Sequence, residues 1–175
     1  MTSGRTATIV ELLNAGGLEG RCEIVSAEEA GTEPAFATAR HVHAVWREMA
    51  GDGLPDHGRL DPFALGTQTL PSIVLLDVLA GGTDYRWRLF GSQHVVEYGA
   101  DLTGRTLSEL RQVNPSADAL EELLGLVTRT AQPHYFRFIY VSKGELRREA
   151  CGVMLPLCKG GPEVAVLLGA TSWRR

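Results

Sequence analysis

The sequence is poor in the groups from which most metal and redox sites are built. It has three cysteines in 175 residues, and Cys22, Cys151 and Cys158 are scattered along it. No two have the CxxC spacing of a zinc site, and an odd number of thiols makes no disulfide framework. Free thiols buried in a reducing compartment are the simple reading. Long apolar runs are also absent. IVLLDVLA, at 73–80, falls far short of the ~18 apolar residues a helix needs to span a bilayer. The opening MTSGRTATIVELL lacks an apolar run followed by a cleavage site, so it does not read as a secretion signal. Basic surface is scarce too. The net charge is -4 and the pI about 5.7, and the small clusters Arg147-Arg148 and Arg174-Arg175 make no footprint for nucleic acid. HExxH, GxSxG, GxGxxG and P-loop motifs are missing, which removes the sequence support for zinc-protease, hydrolase, dinucleotide and P-loop chemistry. The expectation is a soluble cytoplasmic protein with no nucleic-acid partner, no membrane insertion and no metal site.

What remains is ordinary globular material, 44% hydrophobic and 22% charged, of a length that suits one domain with an extension. Residues 1–34 mix a short apolar patch with a linker-like SAEEAGTEP and read as an arm, weakly ordered or packed on a partner. A domain over 35–175 follows. It begins with a helix at 35–50 in which Phe36, Ala39, Val42, Trp46 and Met49 recur at helical spacing, with Gly51 as its stop. A Gly-, Pro- and Asp-rich loop then allows at most a helical turn after Pro62.

SIVLLDVL reads as a buried strand. In YRWRLF the residues Tyr85, Trp87 and Leu89 share one face, and Arg86 and Arg88 the other. Gly81-Gly82 joins the two strands as a hairpin. Ser92 is placed to cap a short helix that Gly99 ends, and TLSELRQ is another short helix. The next is longer, capped by Asn114 or Ser116, with Leu120, Leu123, Leu124 and Val127 as its buried stripe. HYFRFIYV, LRREACGVMLPL and EVAVLLGAT are three further strands. Two groups of strands around a helical insert imply an antiparallel sheet in an α+β domain.

The ordered combination of the Trp46 helix, LPDHGRLDP, LPSIVLLDV, YRWRLFGS, YGADLTGRTLSEL, MLPL and VAVLLGA resembles a PAS domain. More narrowly it is similar to a bacterial subfamily of short, largely stand-alone PAS proteins. The resemblance covers roughly residues 36–170. The family often has arginine where this chain has His57, and threonine where it has Ser92. The resemblance implies a five-stranded antiparallel sheet with short helices across one face, and a space between them that holds a ligand or is filled core. It also implies a protein that senses, binds or dimerises and does not catalyse a reaction.

Several residues are candidates for function. Trp87, Leu89, His94, Tyr98, Phe136, Phe138 and Tyr140 are placed to line a ligand pocket, with packed core as the alternative. Phe36, Val42, Trp46 and Met49 form a stripe that packs on the chain's own sheet or on a second subunit, and a homodimer through this helix and the sheet face is the preferred quaternary reading. Asp101, Thr103, Gly104 and Arg105 mark a turn of the fold. His41 and His43, two apart on a helix, do not share a face and read as solvated surface. Arg86, Arg88 and Arg137 would cluster if their strands were neighbours.

Some PAS domains bind haem through a histidine on a short helix, as His94 would be, and light-sensing members carry a cysteine in an NCRFLQ-like motif that is absent here. Haem and flavin are therefore not expected, and no cofactor is named. The overall reading is a non-enzymatic sensory or regulatory protein that binds a small molecule or a signalling partner. One alternative is a small enzyme pairing His94 with Asp77 or Glu97. The other is a purely structural dimerisation module.

Overall fold

The structure, a computed structural model, describes residues 20–174. One antiparallel sheet carries the fold. Its strands are β1 (Arg21–Val25), β2 (Ile73–Leu79), β3 (Asp84–Phe90), β4 (His134–Val141), β5 (Arg147–Leu157) and β6 (Val166–Trp173), in the spatial order β1-β4-β5-β6-β2-β3. The helices are α1 (Ala27–Thr32), α2 (Ala37–Ala50), α3 (Pro62–Leu65), α4 (Ser92–Tyr98), α5 (Leu107–Arg111) and α6 (Ala117–Thr130). The α+β architecture and the antiparallel sheet agree with the sequence reading. Five strands were expected, and β1 adds a sixth, paired from Arg21↔Ile139 to Val25↔Tyr135.

The arm expected over 1–34 is therefore folded from residue 21 onward, and the part at 1–19 lies outside the described residues. RCEIV is short and only partly apolar, which disguises it as linker. It becomes a strand because the free edge of β4 offers it hydrogen bonds.

The sheet separates two cores. On the inner face, Val74, Leu76, Trp87, Phe136, Tyr140, Met154 and Leu167 pack against α4, α5 and α6. On the outer face, Ile73, Tyr135, Val153, Leu155, Leu168 and Ala170 pack against α2 and the turn that precedes it. Alternation along each strand produces this division, because successive side chains leave the pleat on opposite sides.

Helix α2 uses its apolar stripe within its own chain. Phe36 and Val42 have no exposed surface, Trp46 is buried, and the Trp46 indole Nε1 donates to the Pro156 carbonyl at 2.8 Å. Phe36 itself sits in the turn Pro34–Phe36 just before the helix. Only Met49, near the helix end, keeps partial exposure. The dimer role assigned to Phe36, Val42 and Trp46 is corrected accordingly: a stripe that covers the sheet is not available to a second subunit. His43 is corrected as well, since it is half-buried and its Nδ1 lies 2.7 Å from the Tyr135 hydroxyl.

Candidate ligand cavity between sheet and helices

The elements around the inner face are fixed by short local signals. Gly91 ends β3 and sits as the N-cap of α4, a position the sequence reading gave to Ser92. The reason is contact: a Cβ on residue 91 would lie 2.4 Å from the Pro71 carbonyl oxygen and 2.6 Å from that of Ile73. Only glycine lets the two backbones approach so closely. Gly99 ends the helix, its N–H returning to the Val95 carbonyl.

The DLTGR turn follows. Asp101 Oδ1 accepts from the Thr103 backbone N–H at 2.9 Å and from its hydroxyl at 2.7 Å. Gly104 takes a φ of 83°, which L side chains rarely adopt, and donates to the Trp87 carbonyl at 2.7 Å. Trp87 N–H in turn donates to the Arg105 carbonyl at 3.0 Å. The turn is thus hydrogen-bonded along the edge of β3 and occupies backbone groups there. Thr106 and Glu109 then form a reciprocal capping box that starts α5.

These pieces surround a cavity of about 100 Å³ that is partly open to solvent. Six of the seven pocket residues expected from the sequence line it, namely Trp87, His94, Tyr98, Phe136, Phe138 and Tyr140. His94 and Tyr98 are four apart, so one face of α4 presents both.

Leu89 does not line it and is 41% exposed. Along β2 and β3, Leu75 pairs with Leu89 but Leu76 pairs with Trp87, so Arg88 is an extra residue in a β-bulge. One inserted residue reverses the faces beyond it. Phe90 therefore points inward where Leu89 was expected, and its ring meets Trp87, His94 and Tyr98 at centroid distances of 6.1, 5.2 and 6.4 Å. Leu102, Met154 and Trp173 also line the cavity and were missed. Trp173 was legible in principle, since it continues the inward alternation of Leu167, Gly169 and Thr171 on β6.

The polar groups of the wall are few. His94 packs edge-on against Trp173 at 4.7 Å, and its Nε2–H donates to the Ser72 carbonyl at 3.0 Å. Burial pushes its pKa down to about 4, so the ring is neutral at pH 7. Burial pushes the Tyr140 phenol up to about 12, which keeps it protonated. Asp77, Glu97 and the cysteines lie off the cavity. Asp77 is on the opposite sheet face from Leu76 and is held by Arg88 at 2.5 Å. Glu97 binds Gln93 at 3.0 Å and Arg148 at 3.4 Å. Neither carboxylate is in place to act with His94. Arg137 sits on β4, separated from the arginines of β3 by three intervening strands, so the expected cluster of Arg86, Arg88 and Arg137 does not form.

No family model and no curated protein matches the chain. Among solved structures, a light-oxygen-voltage domain studied with a flavin analogue aligns at 16% identity over 65% of this chain and 83% of that one, with a TM-score of 0.50. A PAS domain from BvgS of Bordetella pertussis aligns at 19% identity over 60% of this chain and 78% of that one, with a TM-score of 0.47. The fold is PAS-like. A flavin or a haem does not fit this PAS-like cavity, because sites for ligands of even drug size measure roughly 300–1,000 Å³ and this one is about 100 Å³. None of the three cysteines faces it either.

Proposed function

We propose that the chain is a non-enzymatic PAS sensory module, which takes a small molecule between sheet and helices and reports its presence through contacts with a second copy or a signalling protein. The observation that carries this reading is the cavity itself. Aromatic and aliphatic side chains wall it, a neutral histidine lies on its α4 side, and among the described residues none that is charged lines it. Such a site suits a compact, mostly apolar guest. Occupancy would be felt by α4, which contributes His94 and Tyr98 and whose Glu97 is tied to Arg148 of β5. It would also be felt by the sheet, whose outer face carries α2.

Helix α2 is already docked on that face, so a second copy would meet this surface across the helix or at the sheet edges. No helix among the described residues is long and apolar enough to cross a membrane. The formal charge of -4 gives no attraction for nucleic acid.

Mass spectrometry of freshly purified protein under native and denaturing conditions, with an absorption spectrum, tests the reading. The expected result is a small non-covalent mass that is lost on denaturation, or thermal stabilisation by added small apolar molecules. A protein that carries no extra mass and is stabilised by none of them would remove the ligand-binding reading and leave a structural module.

A further inference from the structure

The chain has four tyrosines, and they divide by where their hydroxyl protons go. Tyr85 lies 3.0 Å from Thr128 Oγ1, and Thr128 spends its own proton on the Leu124 carbonyl at 2.8 Å, so Tyr85 is the donor of that pair. Tyr135 faces Nδ1 of His43, whose ring burial holds neutral and able to accept. Both tyrosines lie off the cavity, and both have an acceptor.

The two that wall the cavity differ. The Tyr140 hydroxyl receives the Trp173 indole Nε1–H at 3.0 Å, and an indole N–H can only donate. The Tyr98 hydroxyl receives an Nδ2–H of Asn114 at 3.4 Å. The carbonyl end of that amide is already taken by the Ser116 N–H at 2.9 Å. Among the described residues, neither Tyr98 nor Tyr140 has an acceptor for its own proton. A buried hydroxyl favours an acceptor for its proton, so the two on this cavity are donors available to a guest. The wall also limits what that guest is. Among the described residues it holds no lysine or arginine to receive an anion and no carboxylate to receive a cation.

Resting on the reading of the cavity as a ligand site, we propose that its occupant is a small neutral molecule with an apolar body and one carbonyl or hydroxyl oxygen, which accepts hydrogen bonds from Tyr140 and Tyr98. Trp87, Phe90 and Phe136 would hold the body. Its size follows from the space: an apolar cavity of ~150 Å³ admits benzene, with six heavy atoms, so about 100 Å³ holds roughly four, and a five-membered ring fits by reaching the cavity's open side.

Titration followed by NMR chemical shifts tests this with two probes of the same ring size, cyclopentanone and cyclopentane. Wild type should bind both. Tyr140→Phe should weaken cyclopentanone about tenfold, the worth of one good hydrogen bond, and leave cyclopentane unchanged. Tyr98→Phe should act in the same direction. Unchanged cyclopentane binding shows that each variant keeps its cavity, so a lost fold cannot imitate the result. If both probes bind and neither phenylalanine variant affects the ketone, the oxygen acceptor is overturned while the ligand cavity stands. If the wild type binds neither probe, both readings fall.

Discussion

His94 shows how a single side chain links the cavity to stability. In the unfolded chain its pKa is the ordinary 6.5, and in the fold burial lowers it to about 4. Between these values the unfolded chain takes up a proton that the folded chain refuses, so stability falls as pH drops from 6.5 towards 4 and levels off below. The loss amounts to roughly 3 kcal/mol when about 2.5 pH units are converted at 1.36 kcal/mol each. His43 and His134 are lowered by burial as well and act in the same direction. The carboxylates of Glu33, Asp56 and Asp101 are lowered by their partners and lose their contribution only in more acid solution. Urea unfolding of wild type and His94→Gln between pH 7 and 4 should show a shallower fall in the variant. Equal slopes would place the titration elsewhere. The residue scale is also where the sequence misled. Ser92 has the hydroxyl expected of a cap, yet the crowding that decides the position acts on Gly91 and comes from carbonyls some twenty residues earlier.

Among the elements, β3 separates what periodicity can reveal from what it cannot. Alternation placed Tyr85 and Trp87 correctly, since both are buried on the inner face. It failed at Leu89 because YRWRLF contains no mark of a bulge, and the extra residue is defined only by pairing with β2. β4, which has no register shift, was read correctly along its whole length, with Phe136, Phe138 and Tyr140 inward. The bulge makes a sharp prediction. Leu89→Ser should change stability by no more than about 0.5 kcal/mol, as surface substitutions do. Phe90→Ala, by contrast, should cost about 2–3 kcal/mol, less than a fully enclosed phenylalanine because Phe90 keeps partial exposure. Denaturant midpoints of the two variants decide it, and a larger loss for Leu89→Ser would restore the unbroken alternation. Helix α2 taught the complementary lesson. Its stripe was plain in the sequence, but a stripe says only that something covers it, and here the cover is β5 and β6.

At the scale of the whole molecule, strand order brings together charges that lie far apart in the chain. Arg137 on β4 is largely buried, with 12% of its side chain exposed, and it meets Glu33 at 2.8 Å, Glu29 at 3.1 Å, Glu23 at 3.4 Å and Glu149 at 3.8 Å. Arg174, just past β6, joins the same cluster through Glu33 at 2.6 Å and Glu149 at 3.5 Å. Composition alone could not reveal this, because Glu23, Glu29 and Glu33 lie in the segment that reads as an arm. The cluster fastens β1 and α1 to the body of the sheet, with Arg40 adding hydrogen bonds to the Ala30 and Glu33 carbonyls at 2.6 and 2.8 Å. Replacing Arg137 by leucine would leave four carboxylates around one remaining guanidinium, that of Arg174. Loss of one partner from a buried ionic group typically costs 3–5 kcal/mol, and the exposure of Glu23 and Glu29 moderates this to about 2–3 kcal/mol. The loss should be local first. In Arg137→Leu the amides of β1 should exchange with solvent faster, while those at the centre of β5 and β6, flanked on both sides by other strands, keep their protection. Uniformly faster exchange across the sheet would mean that the cluster stabilises the whole fold, and unchanged exchange in β1 would mean that backbone pairing with β4 holds the segment without it.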